Sequence, residues 1–377
     1  LEQQRQLLGD DHPSTLAAMA NLAATYSKLG RYQEAEALQA TVLEKQTTIL
    51  GPDHPGILHA MANLAHTYSE LGRYQEAEAL EVALLEKRRQ LLGDDYPSTL
   101  VAMANLAATY SKLGRYQEAE DLQATVLEKR TTLLGPDHPD TLNAMANLAH
   151  TYSELGRYQE AEALEVALLE KRRQLLGDDY PSTLVAMANL AATYSKLGRY
   201  QEAEDLQATV LEKQTTLLGP DHPDTLHAMA NLAHTYSELG RYQEAEALEV
   251  ALLEKQRQLL GDDYPSTLVT MENLVATYSK LGRYQEAEAL QATVLEKQTT
   301  LLGPDHLYTL HAMANLAHTY SELGRYQKAE ALEATILETR KILLGTDHPD
   351  TLAALENLVA TYHKLGKYQE AKELSAQ

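Results

Sequence analysis

The sequence predicts an all-α solenoid, an α-α superhelix of nine helical hairpins, and three observations carry the prediction. The first is a fixed period of 42 residues: Gly30-Arg31-Tyr32 recurs at Gly72, Gly114, Gly156, Gly198, Gly240, Gly282 and Gly324, and as Gly366-Lys367-Tyr368. A period of this length marks a repeat architecture in which each unit buries its apolar face on the next. The second is punctuation. All 19 Gly and 12 Pro fall in or beside two loop positions per repeat, leaving breaker-free segments of about 17 and 19 residues that suit helices and exceed ordinary strands. The third is apolar spacing. Leu16, Met19, Leu22, Tyr26 and Leu29 follow one another at steps of three or four, as do Tyr32, Ala35, Leu38 and Val42. Ile49 and Leu50 continue that second face, with Gln46 in the gap.

Each element follows from local chemistry. Residues 1–12 read as half of a second helix and its link. Full repeats span 13–54, 55–96, 97–138, 139–180, 181–222, 223–264, 265–306 and 307–348, and a truncated one spans 349–377. Within a repeat, helix A runs near 13–29 and helix B near 32–50. Pro13, Pro55 and Pro97 stand where a first helical residue tolerates a missing N–H. Ser14 or Asp140 follows in the first turn, beside free amides and the positive helix end. Gly30 and Gly51 close the helices where a left-handed backbone is cheap only for glycine. His12, His54, His138, His222, His306 and His348 lie at the starts of helix A, where capping is the expected role.

Composition narrows the function. The chain of 377 residues has no Cys, Trp or Phe, and all 22 aromatics are Tyr, so disulfides, zinc-thiolate sites and a nucleophilic cysteine are ruled out. No run approaches the roughly 18 apolar residues of a membrane span, and neither a signal peptide nor an Asn-x-Ser/Thr acceptor is found. These features fit a cytoplasmic protein, and the absence of an initial Met fits a piece of a longer one. Against 54 Asp and Glu stand 32 Lys and Arg, a net charge of −22 that disfavours nucleic acid and anionic lipid as partners. An exposed solenoid surface accounts for much of that charge as solubility.

The side-chain pattern is more specific. Met19-x-x-Leu22-Ala23-x-x-Tyr26, then Gly30, Tyr32 and Ala35, resembles a tetratricopeptide (TPR) repeat. Met19 replaces the usual Trp, Ala23 the usual Gly, and Gln39 or Glu81 stands where a large aromatic is expected. The longer helix B and the segments LGPDHP at 218–223, NLAHTY at 231–236 and GRYQEAE at 240–246 resemble the long repeats of kinesin light chains. The resemblance covers the whole chain. It implies a right-handed superhelix with helix A lining a concave groove, and cargo or adaptor binding; family members also serve as sensor arrays on signalling NTPases, so fold alone does not fix function.

Alternate copies differ, which makes the duplication unit 84 residues. Helix A ends in Lys28, Lys112, Lys196 and Lys280 in odd copies, and in Glu70, Glu154, Glu238 and Glu322 in even ones. With neighbouring helices roughly 8–10 Å apart, Lys112 is expected between Glu70 and Glu154 in a ladder of alternating charge. Leu1 has the register of Leu43 and Gln377 that of Thr41, so end-to-end self-association is a further expectation.

No motif supports catalysis. GxGxxG, HExxH, GxSxG, an EF-hand loop and a phosphate loop are all missing. Glu34 and Glu36 recur as a solvated face, and nine-fold repetition is poor material for one asymmetric catalytic constellation. No cofactor and no metal are expected: His59 and His66, seven residues apart, lie roughly 10 Å from each other along a helix. The informative polar position is an Asn that recurs beside the core stripe. The candidate groove residues are Asn63, His66, Asn105, Lys112, Asn147, His150, Asn189, Lys196, Asn231, His234, Asn273 and Asn315. An amide both donates and accepts, and the resemblance implies that this Asn holds the backbone of an extended peptide; a bond to the adjacent helix that fixes stacking is the alternative. The expected function is a non-enzymatic scaffold for peptide or protein ligands. A structural spacer or self-stacking rod, an engineered consensus-like array, and the sensing array of a larger NTPase are the alternatives.

Overall fold

The computed structural model describes residues 1–51 and 54–375, and among these it contains nineteen α-helices and no strand. They gather into two compact units, Leu1–Leu197 and Gly198–Gln377. The first unit holds α1 (Glu2–Leu8), α2 (Pro13–Lys28), α3 (Tyr32–Leu50), α4 (Pro55–Glu70), α5 (Tyr74–Leu92), α6 (Pro97–Lys112), α7 (Tyr116–Leu134), α8 (Pro139–Glu154), α9 (Tyr158–Leu176) and α10 (Pro181–Lys196). The second holds α11 (Tyr200–Leu218), α12 (Pro223–Glu238), α13 (Tyr242–Leu259), α14 (Pro265–Lys280), α15 (Tyr284–Leu302), α16 (Leu307–Glu322), α17 (Tyr326–Leu344), α18 (Pro349–Leu365) and α19 (Tyr368–Leu374). Within each unit, helices adjacent in sequence pack on one another. Even-numbered helices are helix A of the repeat, odd-numbered ones helix B. Gln377, on which the end-to-end register rests, lies outside the described residues, as do Pro52 and Asp53 of one link.

Caps and turns follow the chemistry of the links. The Nδ1 atoms of His12, His54, His138, His222, His306 and His348 each accept the amide of the second helical residue, as from Asp140 N at 3.1 Å. Tyr96, Tyr180 and Tyr264 occupy that position elsewhere and supply no side-chain cap. Gly135 ends α7 with φ 90° and ψ 162°, a region essentially reserved for glycine.

The core is shared between hairpins. Leu85 of α5, Leu100, Met103 and Leu106 of α6, Val126 of α7 and Ala144 of α8 form one cluster, so a single apolar knot draws on four consecutive helices. Leu253, Leu268, Met271, Leu274, Val294 and Ala312 repeat that arrangement in the second unit. Ala77, Ala107 and Ala119 are fully buried, which places alanine where helices meet most closely.

The structure corrects several of these expectations. Ile49 and Leu50 do not complete the buried face of helix B; they are 48% and 43% exposed, and counterparts such as Leu91, Leu92, Leu133 and Leu134 are exposed as well. Helix B has 19 residues and helix A 16, so the last turn of helix B overruns its partner by about 4.5 Å at 1.5 Å per residue. Leu29, expected in the stripe of helix A, ends that helix as an exposed cap. Glu34 and Glu36 do not form a merely solvated face. Arg31 forks onto Glu34, and Glu36 accepts from Arg73 of the following repeat at 2.7 Å.

The Arg of the Gly-Arg-Tyr turn is the electrostatic hub of each junction. Arg115 lies over the Tyr110 ring at 4.4 Å, forks onto Glu118 at the start of its own helix B, and donates to Glu78 of the previous helix B at 2.7 Å. Arg157 with Glu120, Arg241 with Glu204, and Arg283 with Glu246 repeat the inter-repeat bond. A second set joins Lys129 to Asp95 and Lys171 to Asp137. The alternating Lys–Glu ladder does not form: among the described residues no ion pair links Lys112 to Glu70 or Glu154, and the Glu154 carboxylate instead accepts the Tyr116 hydroxyl.

The shared core predicts unequal costs along the apolar face. Met103→Ala, at a position with no exposure, is expected to cost about 3 kcal/mol. Leu133→Ala, on the overrunning last turn of α7, is expected to cost less than about 1 kcal/mol. Urea unfolding with hydrogen exchange on α6 and α7 measures both, and equal losses would contradict the packing described here.

Candidate functional site

Helix A presents its polar face through the same spacing that buries its apolar one. Asn105 stands two residues after the buried Met103, and Ala108 and Lys112 follow on the same side at steps of three and four. Asn21, Asn63, Asn105, Asn147, Asn189, Asn273 and Asn357 are exposed, and Asn231 and Asn315 are half-buried. Among the described residues, none of these side chains is hydrogen-bonded to an adjacent helix. His66, His150 and His234 share the exposed face.

The structure gathers several of the candidates around depressions between successive helices A. Lys112, Asn147 and His150 line one of about 420 Å³, together with Tyr116, Gln123 and Glu154. His150, Asn189 and Lys196 line a second of about 400 Å³, with Glu154, Tyr158, Glu165 and Thr193. His234, Asn273 and Lys280 line a third of about 410 Å³ in the second unit, with Glu238, Tyr242, Glu249 and Thr277. Asn63, His66, Asn105, Asn231 and Asn315 lie on the same helix A face but line none of these three depressions.

The floors of the depressions escaped the sequence reading. They are formed by helix B at the register where the repeat pattern expects an aromatic. Odd copies place Gln39, Gln123, Gln207 and Gln291 there, and even copies Glu81, Glu165, Glu249 and Glu333; all eight are buried. Gln291 donates to the Ala312 carbonyl at 3.1 Å. Each Glu accepts from a threonine of the next helix A, Thr109, Thr193, Thr277 or Thr361, while its Oε2 atom has no partner. Burial disfavours the charged form and pushes the Glu165 and Glu249 carboxyls up to about 7, with the threonine bond opposing it and Glu162 or Glu246 adding to it. Glu81 and Glu333 are raised for the same reason. The available signal was the 84-residue alternation of Gln39 and Glu81 itself, which marks a position where volume is fixed and charge is not.

Among the described residues there is no group of three or more His, Asp or Glu side chains placed to hold a metal ion. None of the described helices is long and apolar enough to cross a membrane.

Comparison with known proteins agrees with the architecture. Models of the tetratricopeptide repeat match residues 1–45, 17–90, 82–131, 99–170, 166–216, 189–254 and 266–342, and a second such model matches 351–377. The chain belongs to the tetratricopeptide repeat family. Among solved structures, a kinesin-light-chain candidate of Podosopora anserina with nearly identical TPR-like repeats is 32% identical, with a TM-score of 0.50 over 54% of this chain and 97% of that one. The apo quorum sensor NprR of B. thuringiensis matches at a TM-score of 0.63 and 16% identity over 90% of each chain. A signal-transduction ATPase with a tetratricopeptide repeat sensor, from Pyrococcus horikoshii, matches at 0.59 and 15% identity over 91% of this chain and 52% of that one. No curated protein sequence matches the chain.

The raised Glu165 carboxyl has a signed consequence. Its pKa in the folded chain, about 7, lies above the ordinary value near 4.3, so folding takes up a proton between the two. Its contribution is therefore most favourable below the unfolded value and is lost as pH rises through 7. Glu165→Gln, which copies the Gln123 arrangement, is expected to stabilise the first unit by up to roughly 3–4 kcal/mol at pH 8.5 and to have little effect at pH 4.5. Urea midpoints at the two pH values measure this; a variant that is destabilised, or whose effect does not change with pH, would contradict it.

Proposed function

We propose that this chain is a non-enzymatic interaction scaffold whose helix A face holds an extended peptide or an extended segment of a partner protein. The observation that carries the reading is the Asn position: a recurring amide that, among the described residues, is bonded to no adjacent helix, and that in Asn147, Asn189 and Asn273 is exposed at depressions large enough to receive side chains. Amides in a periodic row suit a ligand whose own backbone presents donors and acceptors at regular intervals. Membership of a family that generally binds proteins or peptides supports the same class of partner. The quorum-sensor likeness at 16% identity bears on the fold alone. Repetition adds multivalency, because successive weak contacts to one chain act at high effective concentration.

The test is a peptide-library screen against the parent chain and against a variant carrying Asn147→Ala, Asn189→Ala and Asn231→Ala. Specific hits that the variant loses by more than about tenfold in affinity, with an unchanged melting profile, are the expected result. Absence of hits with the parent chain, or hits bound equally by the variant, would favour a purely structural role for the array.

A further inference from the structure

We propose that the Glu-floored depressions are cation sites, each taking the ammonium or guanidinium of a Lys or Arg side chain carried on the bound peptide. This rests on the peptide-holding face proposed above and names the side chain that it selects.

The first observation is an unsatisfied carboxyl in a cavity. Glu165 is only 5% exposed, lines a depression of about 400 Å³, and leaves its Oε2 atom without a partner. Glu249 is equivalent in a depression of about 410 Å³. A buried carboxyl with one oxygen idle carries the desolvation cost without the return, and a charged donor is what would supply it.

The second observation is the chain's own alternation. Gln123 fills the same place in a depression of similar size, so neither packing nor folding requires an acid at this register. Glu and Gln differ there in charge and not in volume. The third is the setting of Glu333. There the cavity is smaller, about 140 Å³, and Arg340 and Lys364 line it with the carboxyl; Lys364 donates to the Ser321 hydroxyl, Arg340 to the Asp350 carbonyl, and Glu333 Oε2 stays without a partner. Burial raises the Glu333 carboxyl on balance, while the nearby Lys364 charge acts to lower it, which is the direction an inserted amine would act.

The surroundings of Glu165 define how binding couples to protons. Glu162 on its own helix adds negative potential; Thr193 and Lys196 face it from α10, and His150 and Glu154 from α8. An incoming cation stabilises the ionised carboxylate, so a proton leaves Glu165 as the amine enters. Lys196 at the rim opposes a second positive charge, which favours an extended side chain that reaches the floor and leaves its backbone at the rim beside Asn189.

The experiment compares two probe peptides, Ac-(Ser-Lys)5-NH2 and the neutral Ac-(Ser-Gln)5-NH2, by isothermal titration at pH 6 in phosphate and in a cationic buffer. The variants are Glu165→Gln with Glu249→Gln; the charge-matched control Glu128→Gln with Glu212→Gln at exposed helix B positions; and the triple Asn→Ala variant above. Supporting results are a loss of about tenfold or more for the Lys peptide in the floor variant, less than about twofold in the control, and buffer-dependent proton release that the floor variant lacks. Equal losses in the floor variant and the control would mean general attraction to an acidic chain, and would overturn the proposal. Loss only in the Asn variant would overturn the cation sites and leave the peptide face standing. Binding of neither peptide, or of both alike by every variant, would overturn both.

Discussion

No hairpin in this chain can bury its own apolar stripe, and the rest of the structure follows from that. The cluster around Met103 takes Leu85 from the helix before and Val126 and Ala144 from the two helices after, so its apolar surface leaves water only when neighbours stack. The alanines at the crossings, Ala107 and Ala119 among them, allow the approach that this sharing needs. One side of helix A is consumed by the core, and the opposite side has no helix left to cover it. The polar face bearing Asn105, Asn147 and Asn189 is thus a consequence of how stacking distributes surface rather than a separate device.

Stacking by apolar contact alone is permissive in register, and the charges restrict it. The Gly-Arg-Tyr turns at Arg73, Arg115, Arg157, Arg241 and Arg283 place a guanidinium where it meets the Tyr of its own helix A, its own helix B and the helix B before it, as Arg115 does with Tyr110, Glu118 and Glu78. Planar, five-donor geometry makes such three-way contact natural for Arg. The pairs are partly exposed, so their weight lies in orientation more than in bulk stability. They also show why a net charge of −22 is compatible with a stack: many acidic groups that look like surplus in a composition are engaged across junctions.

The architecture was legible because it was written nine times. Period, breakers and the 3.6-residue stripe located the helices to within a residue or two, and the histidine caps were readable from their place beside Pro. Pairwise electrostatics were not legible. Lys112 and Glu154 suggested a ladder by their signs, yet which charges meet depends on side-chain reach and on competitors such as the Tyr116 hydroxyl. The exposure of Ile49 and Leu50 depends on helix B outlasting helix A, a tertiary fact that periodicity does not encode. The exposed candidates Lys112, Asn147 and His150 were found because polar repetition on a known face is visible in one dimension. Glu165 was missed because its neighbours come from other repeats.

The floor residues separate stability from use. A charged carboxyl that is buried, bonded on one oxygen and idle on the other works against folding at neutral pH, and the same chain fills the same space with Gln123 and Gln207, whose Oε1 atoms are likewise buried without a partner but which carry no charge to desolvate. Local rules are broken in natural chains chiefly where a site needs the broken arrangement. Glu165 and Glu249 meet that description on three counts: they border cavities open to the helix A face, they share those cavities with Asn189 and Asn273, and charge is the property in which they differ from their Gln equivalents. A stack built only for length would gain by glutamine at every floor. On the proposal of cation sites, the carboxyls at Glu165 and Glu249 are kept for what the face receives and not for the stack alone.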